Sequence, residues 1–182
     1  GQVILMVEKG FVPEKQALTV PFTIHGNWQT VSLATYGPNN SFVAETQVQG
    51  LGTVLKTEPI ANIDALAINA LKEDLPGTLV RQVARVYAKS EMAYQVEKSG
   101  KPGNNAADIG SIAMQIFNVV SEQADRRSWL TLPKQAQIGR RYLNPGEYTL
   151  QLDKAPPAKI EVAAGKTTLV WAIDTGNYTR IY

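Results

Sequence analysis

The densest group of residues able to do chemistry is Glu122, Asp125, Arg126 and Arg127, with Trp129 two positions later. Two carboxylates three residues apart on a helix project from neighbouring turns. A glycosidase-like acid and base can therefore be drawn here, with Trp129 as a platform for a sugar ring. Carboxyls that do such work normally come from different elements on either side of a cleft, whereas these two share one helical end. The pattern favours a structural role: Glu122 or Asp125 pairs with Arg81 or Arg85 of a preceding helix and ties the helices together. A solvated charged face is the alternative, and its surface pairs would contribute little.

Other chemistries close quickly. With no cysteine there is no disulfide, thiolate zinc site, iron–sulfur cluster or thiol nucleophile. The single histidine, His25, precludes a multi-histidine metal site, and no metal or cofactor is expected. His25 beside Gly26-Asn27 reads as a polar residue at a strand end. Gly165-Lys166-Thr167-Thr168 has the ending of a phosphate-binding loop, but Ile160 stands where the leading glycine belongs and a strand follows instead of a helix. Turn chemistry explains it better. Gly50-Leu51-Gly52 is a weak nucleotide fingerprint that reads as flexible strand entry. Arg81, Arg85 and Lys89 at four-residue spacing could meet acidic headgroups or polysaccharide, but three charges fall short of a nucleic-acid footprint. Asn39-Asn40-Ser41 and Asn177-Tyr178-Thr179 match glycosylation sequons and mark turns.

The elements that must position these residues follow from hydrophobic period. Val3 to Val7 is a continuous apolar run, and Leu18, Val20, Phe22 and Ile24 alternate with Thr19, Pro21 and Thr23. Pro21 implies an edge strand or a bulge. Trp28 to Tyr36, Phe42 to Val48 and Thr53 to Thr57 complete the first cluster, with Pro59 expected to stop the last of these strands. The period then lengthens to 3.6. One helix is expected over Ile63 to Leu75 with Asn62 as its cap. A second should begin at Pro76 and run to about Lys98, with Leu79, Val83, Val86 and Ser90 in one arc. After a Gly/Asn/Pro turn from Ser99 to Asn105, Ile109 to Val120 predicts a third. From Trp129 the period returns to two: Gln137–Tyr142, Tyr148–Leu152, Lys159–Val162, Thr167–Ile173 and Tyr178–Tyr182 read as strands at intervals typical of a sandwich.

The expected architecture is therefore α+β: an antiparallel β-sandwich with a three-helix insert. Residues 1–182 form a single domain in which strands from 1–58 and 129–182 share one sandwich around an insert at about 62–126. With 182 residues, 44% of them hydrophobic, the chain can bury such a core. Its 18 basic and 16 acidic residues leave a charge of only +2, which argues against nucleic acid as a partner. No run approaches a membrane span. The opening at Gly1, without Met, reads as the start of a piece of a longer precursor whose targeting segment would lie upstream.

Several segments carry a resemblance. They are Leu75-Pro76 leading into Val80 to Arg85, Glu122 to Trp129 with Leu132-Pro133 after it, Leu143 to Tyr148, and the opening Val3 to Val7 with Glu8 to Pro13. Together they resemble the C-terminal domain of a family of uncharacterised bacterial envelope lipoproteins, over nearly the whole chain. The resemblance implies tetratricopeptide-like repeats upstream, a lipid-modified cysteine, and a place on the periplasmic side of the cell envelope. Membrane attachment would come only through that upstream anchor. Function is then expected to be non-catalytic: an interaction or scaffold module whose partner is another protein or the upstream repeats of the same chain. The partner surface is expected on the helical insert at Met92 and Val96, with Trp129 nearby. A module binding glycan or another envelope polymer through Trp28, Trp129 or Trp171 is the alternative, and a hydrolase is the third class.

Overall fold

A computed structural model describes residues 1–38, 43–99, 124–153 and 155–182, with the side chains of Val96, Glu97 and Ser99 left aside. The strands are β1 (Gln2–Phe11), β2 (Lys15–Ile24), β3 (Asn27–Tyr36), β4 (Gln47–Gln49), β5 (Leu55–Lys56) and β6 (Glu58–Asn62). The helix α1 (Ile63–Ser99) follows, and then β7 (Pro133–Tyr142), β8 (Gly146–Leu152), β9 (Ala158–Val162), β10 (Thr167–Asp174) and β11 (Thr179–Ile181). The protein is thus mixed α+β, mostly strands in several sheets. The chain groups into two compact units: residues 1–13, 38–67 and 129–182, and residues 14–37 and 68–128.

In the first unit, strands from both ends of the chain pair. A five-stranded sheet runs β11-β10-β1-β7-β6 and a four-stranded sheet runs β5-β4-β8-β9. β1 lies parallel to β10 and antiparallel to β7. Alternation places Val3, Leu5 and Val7 of β1 and Val170 and Ala172 of β10 on one face. These share a single core with Val48, Leu55, Leu150, Leu152 and Val162 of the four-stranded sheet. Burial of each valine or leucine of this set removes apolar area worth roughly 1.5–3 kcal/mol from water.

A polar knot closes one side of this core. The Gln137 carbonyl oxygen accepts from the Thr57 hydroxyl at 2.6 Å and from the Thr46 amide and hydroxyl at 3.1 Å. Its amide nitrogen donates to the Ala44 carbonyl at 3.0 Å and to Gln135 Oε1 at 2.7 Å. Gln137, Thr46 and Thr57 are all fully buried, so these bonds replace water that the groups have lost.

The second unit sets a β-hairpin on a helix. β2 and β3, expected within the shared sandwich, pair among the described residues only with each other, in a two-stranded sheet. His25 and Gly26 both have positive φ, the geometry of the tight turns that match strand twist. Val31 and Leu33 pack with Val86 of α1, and Phe22, Ile24, Leu75 and Leu79 flank them. His25 Nε2 lies 3.0 Å from Glu91 Oε2, and its ring stacks on Tyr94 at 4.7 Å. Pro21 sits in a strand of this two-stranded sheet, where every strand is an edge and the missing N–H is tolerated.

The helical insert differs from expectation. Among the described residues there is one helix, and it runs unbroken through Pro76 where two helices were expected to meet. Pro76 and Lys72 are exposed, so the carbonyl that loses its helical donor is open to water. Leu75 and Leu79 pack beside the same hairpin core on either side of the proline and hold both halves in line. Asn62 caps the helix as expected, its Oδ1 accepting from the Ala65 N–H at 3.0 Å. The third expected helix, Ile109 to Val120, lies outside the described residues. Pro59 does not stop a strand: β6 continues through it at the sheet edge, with a register slip between Pro59 and Ala61. The strand expected over Phe42 to Val48 is reduced to β4, and Phe42 lies outside the described residues.

Candidate interaction face

The face of the five-stranded sheet turned away from the core is built by the residues that alternate with the core set. β1 contributes Ile4, Met6 and Glu8; β10 contributes Leu169, Trp171 and Ile173; β7 contributes Ala136, Ile138, Arg140 and Tyr142. Tyr182 closes the row through mutual backbone hydrogen bonds with Trp171, and Arg180 pairs with Ile173. Register sets these residues in rows across the strands. One row runs Tyr182, Trp171, Met6, Ile138 and Glu58; the row on one side holds Leu169, Ile4 and Arg140; the row on the other holds Arg180, Ile173, Glu8 and Ala136.

Much of this apolar surface meets solvent. Leu169 is 61% exposed, Tyr182 58%, Trp171 41% and Met6 39%. The Trp171 and Tyr182 rings lie 5.5 Å apart and tilted by 34°. Arg180 stands 5.0 Å from the centre of the Tyr182 ring and Arg140 4.6 Å from that of Tyr142. Guanidinium groups resting on aromatic rings are pre-positioned while their forks stay open to a partner. Parallel neighbours such as β1 and β10 are ordinarily covered on both faces, and their sequences then read as continuous apolar runs. Val3 to Val7 and Leu169 to Ile173 read in that way, yet only one side of each is buried.

The residues singled out from sequence lie elsewhere. Asp125 is bound to its near neighbour Arg127, whose guanidinium donates to both carboxylate oxygens at 2.9 and 2.8 Å and whose amide donates at 3.1 Å. These bonds hold the Asp125 carboxyl well below the usual carboxylate range and push Arg127 up. Arg81 lies 3.9 Å from Asp74 two turns back along α1 and donates to Thr78 one turn back at 3.1 Å. Local partners thus occupy both residues. Arg85 is exposed, and Glu122 lies outside the described residues. Met92 is exposed on α1; Val96 belongs to the helix, but its side chain is among those left aside. Trp129 is 73% exposed, with its indole N–H donating to the Thr131 hydroxyl at 2.6 Å, and Trp28 is 75% exposed beside the hairpin turn.

No protein-family model, curated protein or solved structure matches the chain. Gly50 has φ +92°, and a Cβ there would run into the Thr149 carbonyl oxygen, so the glycine serves a close backbone approach. Gly165 and Lys166 form a turn closed by a bond from the Lys166 amide to the Ala163 carbonyl. Among the described residues no group of three metal-ligating side chains forms, and no helix is long and apolar enough to cross a membrane.

Sequence reasoning missed the outer sheet face because it took Val3 to Val7 as a continuous apolar run without asking what covers its second face. The signal was available: when every position of a strand is apolar, the second face also needs cover.

Proposed function

We propose that the protein is a non-catalytic, protein-binding module of the bacterial cell envelope, and that it binds through the outer face of its five-stranded sheet. The observation that carries this reading is the composition of the face. Trp171, Tyr182, Tyr142, Met6, Arg140 and Arg180 belong to the residue types that concentrate at the cores of protein interfaces. The two-sheet unit is read as a β-sandwich, which leaves this face as its outside. The envelope setting, with attachment through an upstream lipid anchor, rests on the family resemblance. The partner surface moves from the helical insert at Met92 and Val96 to the sheet, because the sheet residues form a contiguous patch in register.

A glycan-binding module is the second reading, supported by the exposure of Trp28, Trp129 and Trp171. It is weaker because Trp171 and Tyr182 are tilted and set among Leu169, Ile4 and Met6, where a sugar platform would place polar groups around a flat ring. Against hydrolysis stands Asp125, whose carboxylate is engaged by Arg127.

Site-specific photo-crosslinking in producing bacteria tests the proposal. A benzophenone side chain at position 169 or 142 should give protein adducts, while one at exposed Glu147 of β8 should give none. Equal yields at all three positions, or no adduct from 169 and 142, would overturn it.

A further inference from the structure

The outer face carries charges of both signs about a middle row that is apolar from Trp171 to Ile138 and ends in Glu58 on the edge strand, with Arg180 at the opposite edge. Arg140 lies in the row on one side of Met6, paired with Ile4. Glu8 lies in the row on the other side, paired with Ala136 and Ile173. Each row is about 7 Å from the middle one, the distance two residues span along a strand. Arg140 is exposed and Glu8 half-buried.

This placement has the symmetry of a surface that meets itself. A two-fold axis lying across the strands, along the row of Trp171, Met6 and Ile138, would turn the face over onto a second copy. Trp171, Met6 and Ile138 would then meet the same residues of the other copy, and Glu58 would face its own image only at the solvent-exposed rim, where like charges are screened. Leu169 would come over Ile173. Arg140 of each copy would come over Ala136 of the other, one strand spacing, about 4.8 Å, from Glu8 of that copy. Both ion pairs form by a single operation. A contact with unlike charges on opposite sides of an apolar row is matched to its own image, whereas a face of one sign would repel it.

Resting on the proposed binding role of this face, we infer that its partner is a second copy of the chain, packed sheet to sheet with Arg140 of each over Ala136 and beside Glu8 of the other. Two sheets meeting in this way interdigitate outward side chains about 10 Å apart. The face measures roughly 20 Å by 20 Å, so the dimer belongs to the small, weakly held class of interfaces. Arg180 and Tyr182 then lie at the rim.

Sedimentation of the 182-residue chain from about 1 μM to about 1 mM tests this. The expected result is a reversible passage from monomer to dimer. Arg140→Glu and Glu8→Arg should each weaken association about tenfold or more, and the double exchange should return it to near the original value. Circular dichroism of each variant verifies the fold, and Met6→Lys provides an independent break at the centre. A chain that stays monomeric throughout would overturn the inference. So would a dimer indifferent to all three changes, or a double exchange no tighter than the singles. Adducts from position 169 to a different protein, with a monomeric chain, would remove the self-association and leave the binding role standing. Failure of both experiments would remove both.

Discussion

The two compact units use similar strands and obtain different burial from them. In the first, β1, β10, β8 and β9 turn alternate residues toward a facing sheet, and Val3, Leu150, Leu152 and Ala172 reach complete burial. In the second, ten-residue strands β2 and β3 have, among the described residues, α1 alone to pack against, and Leu18 and Val20 remain largely exposed although they alternate as cleanly as any strand in the chain. Pattern alone does not bury a residue; a second layer must be present over its face. The same lesson applies to the outer sheet face, where Leu169, Trp171 and Met6 stay exposed because no layer among the described residues covers them.

The comparison can be broken most severely at Gly50. Gly50→Ala places a methyl group against the Thr149 carbonyl and forces an unfavourable φ, between β4 and β8 of the better-packed unit. The expected loss is about 4 kcal/mol or more in urea unfolding. A loss below about 1 kcal/mol would mean that β4 and β8 separate easily and that the first unit is looser than its packing indicates.

Truncation at one core position in each unit sharpens the contrast. Leu150→Ala should cost about 3–5 kcal/mol, and Val86→Ala about 2 kcal/mol. Because the units need not unfold together, amide hydrogen exchange is the appropriate measurement. Val86→Ala should release the amides of Val31 and Leu33 while leaving Val170 and Ala172 protected. Equal release in both units would show one cooperative structure.

The smallest effect belongs to Asp125. Its carboxyl is lowered by Arg127, so any contribution to stability is complete above the ordinary carboxylate range and is lost only as the pH falls through the lowered value. Both side chains are exposed, so Asp125→Asn should leave the melting temperature at neutral pH unchanged. In an NMR titration Arg127→Gln should return Asp125 to the ordinary range. A carboxyl that stays low without Arg127 would point to a partner other than its neighbour.

Much of the fold was legible locally. The strands after Trp129 fall within a few residues of their expected places because turn residues such as Asn144-Pro145-Gly146 and Ala164-Gly165 bound each one and period two fills the intervals. Asn62 was legible as a cap because capping is a contact within three residues. Pro59 and Pro76 were misread for one reason. A proline's cost depends on whether the group it leaves unbonded is buried, and that is set by edge position and solvent exposure.

What the sequence determined by itself were the quantities fixed by neighbours along the chain: strand periods, the cap, a turn beginning next to His25, read at Gly26-Asn27 and found at His25-Gly26, and the exclusion of cysteine and multi-histidine chemistry. Tertiary structure decided which strands share a sheet, that Gln137 becomes the centre of a buried polar knot, and which side of β1 and β10 is covered. The physical reason is that periodicity sorts side chains onto faces, whereas burial depends on what lies across from each face. For Val3, Leu5 and Val7 that is the four-stranded sheet; for Met6 and Trp171 it is solvent in the isolated chain.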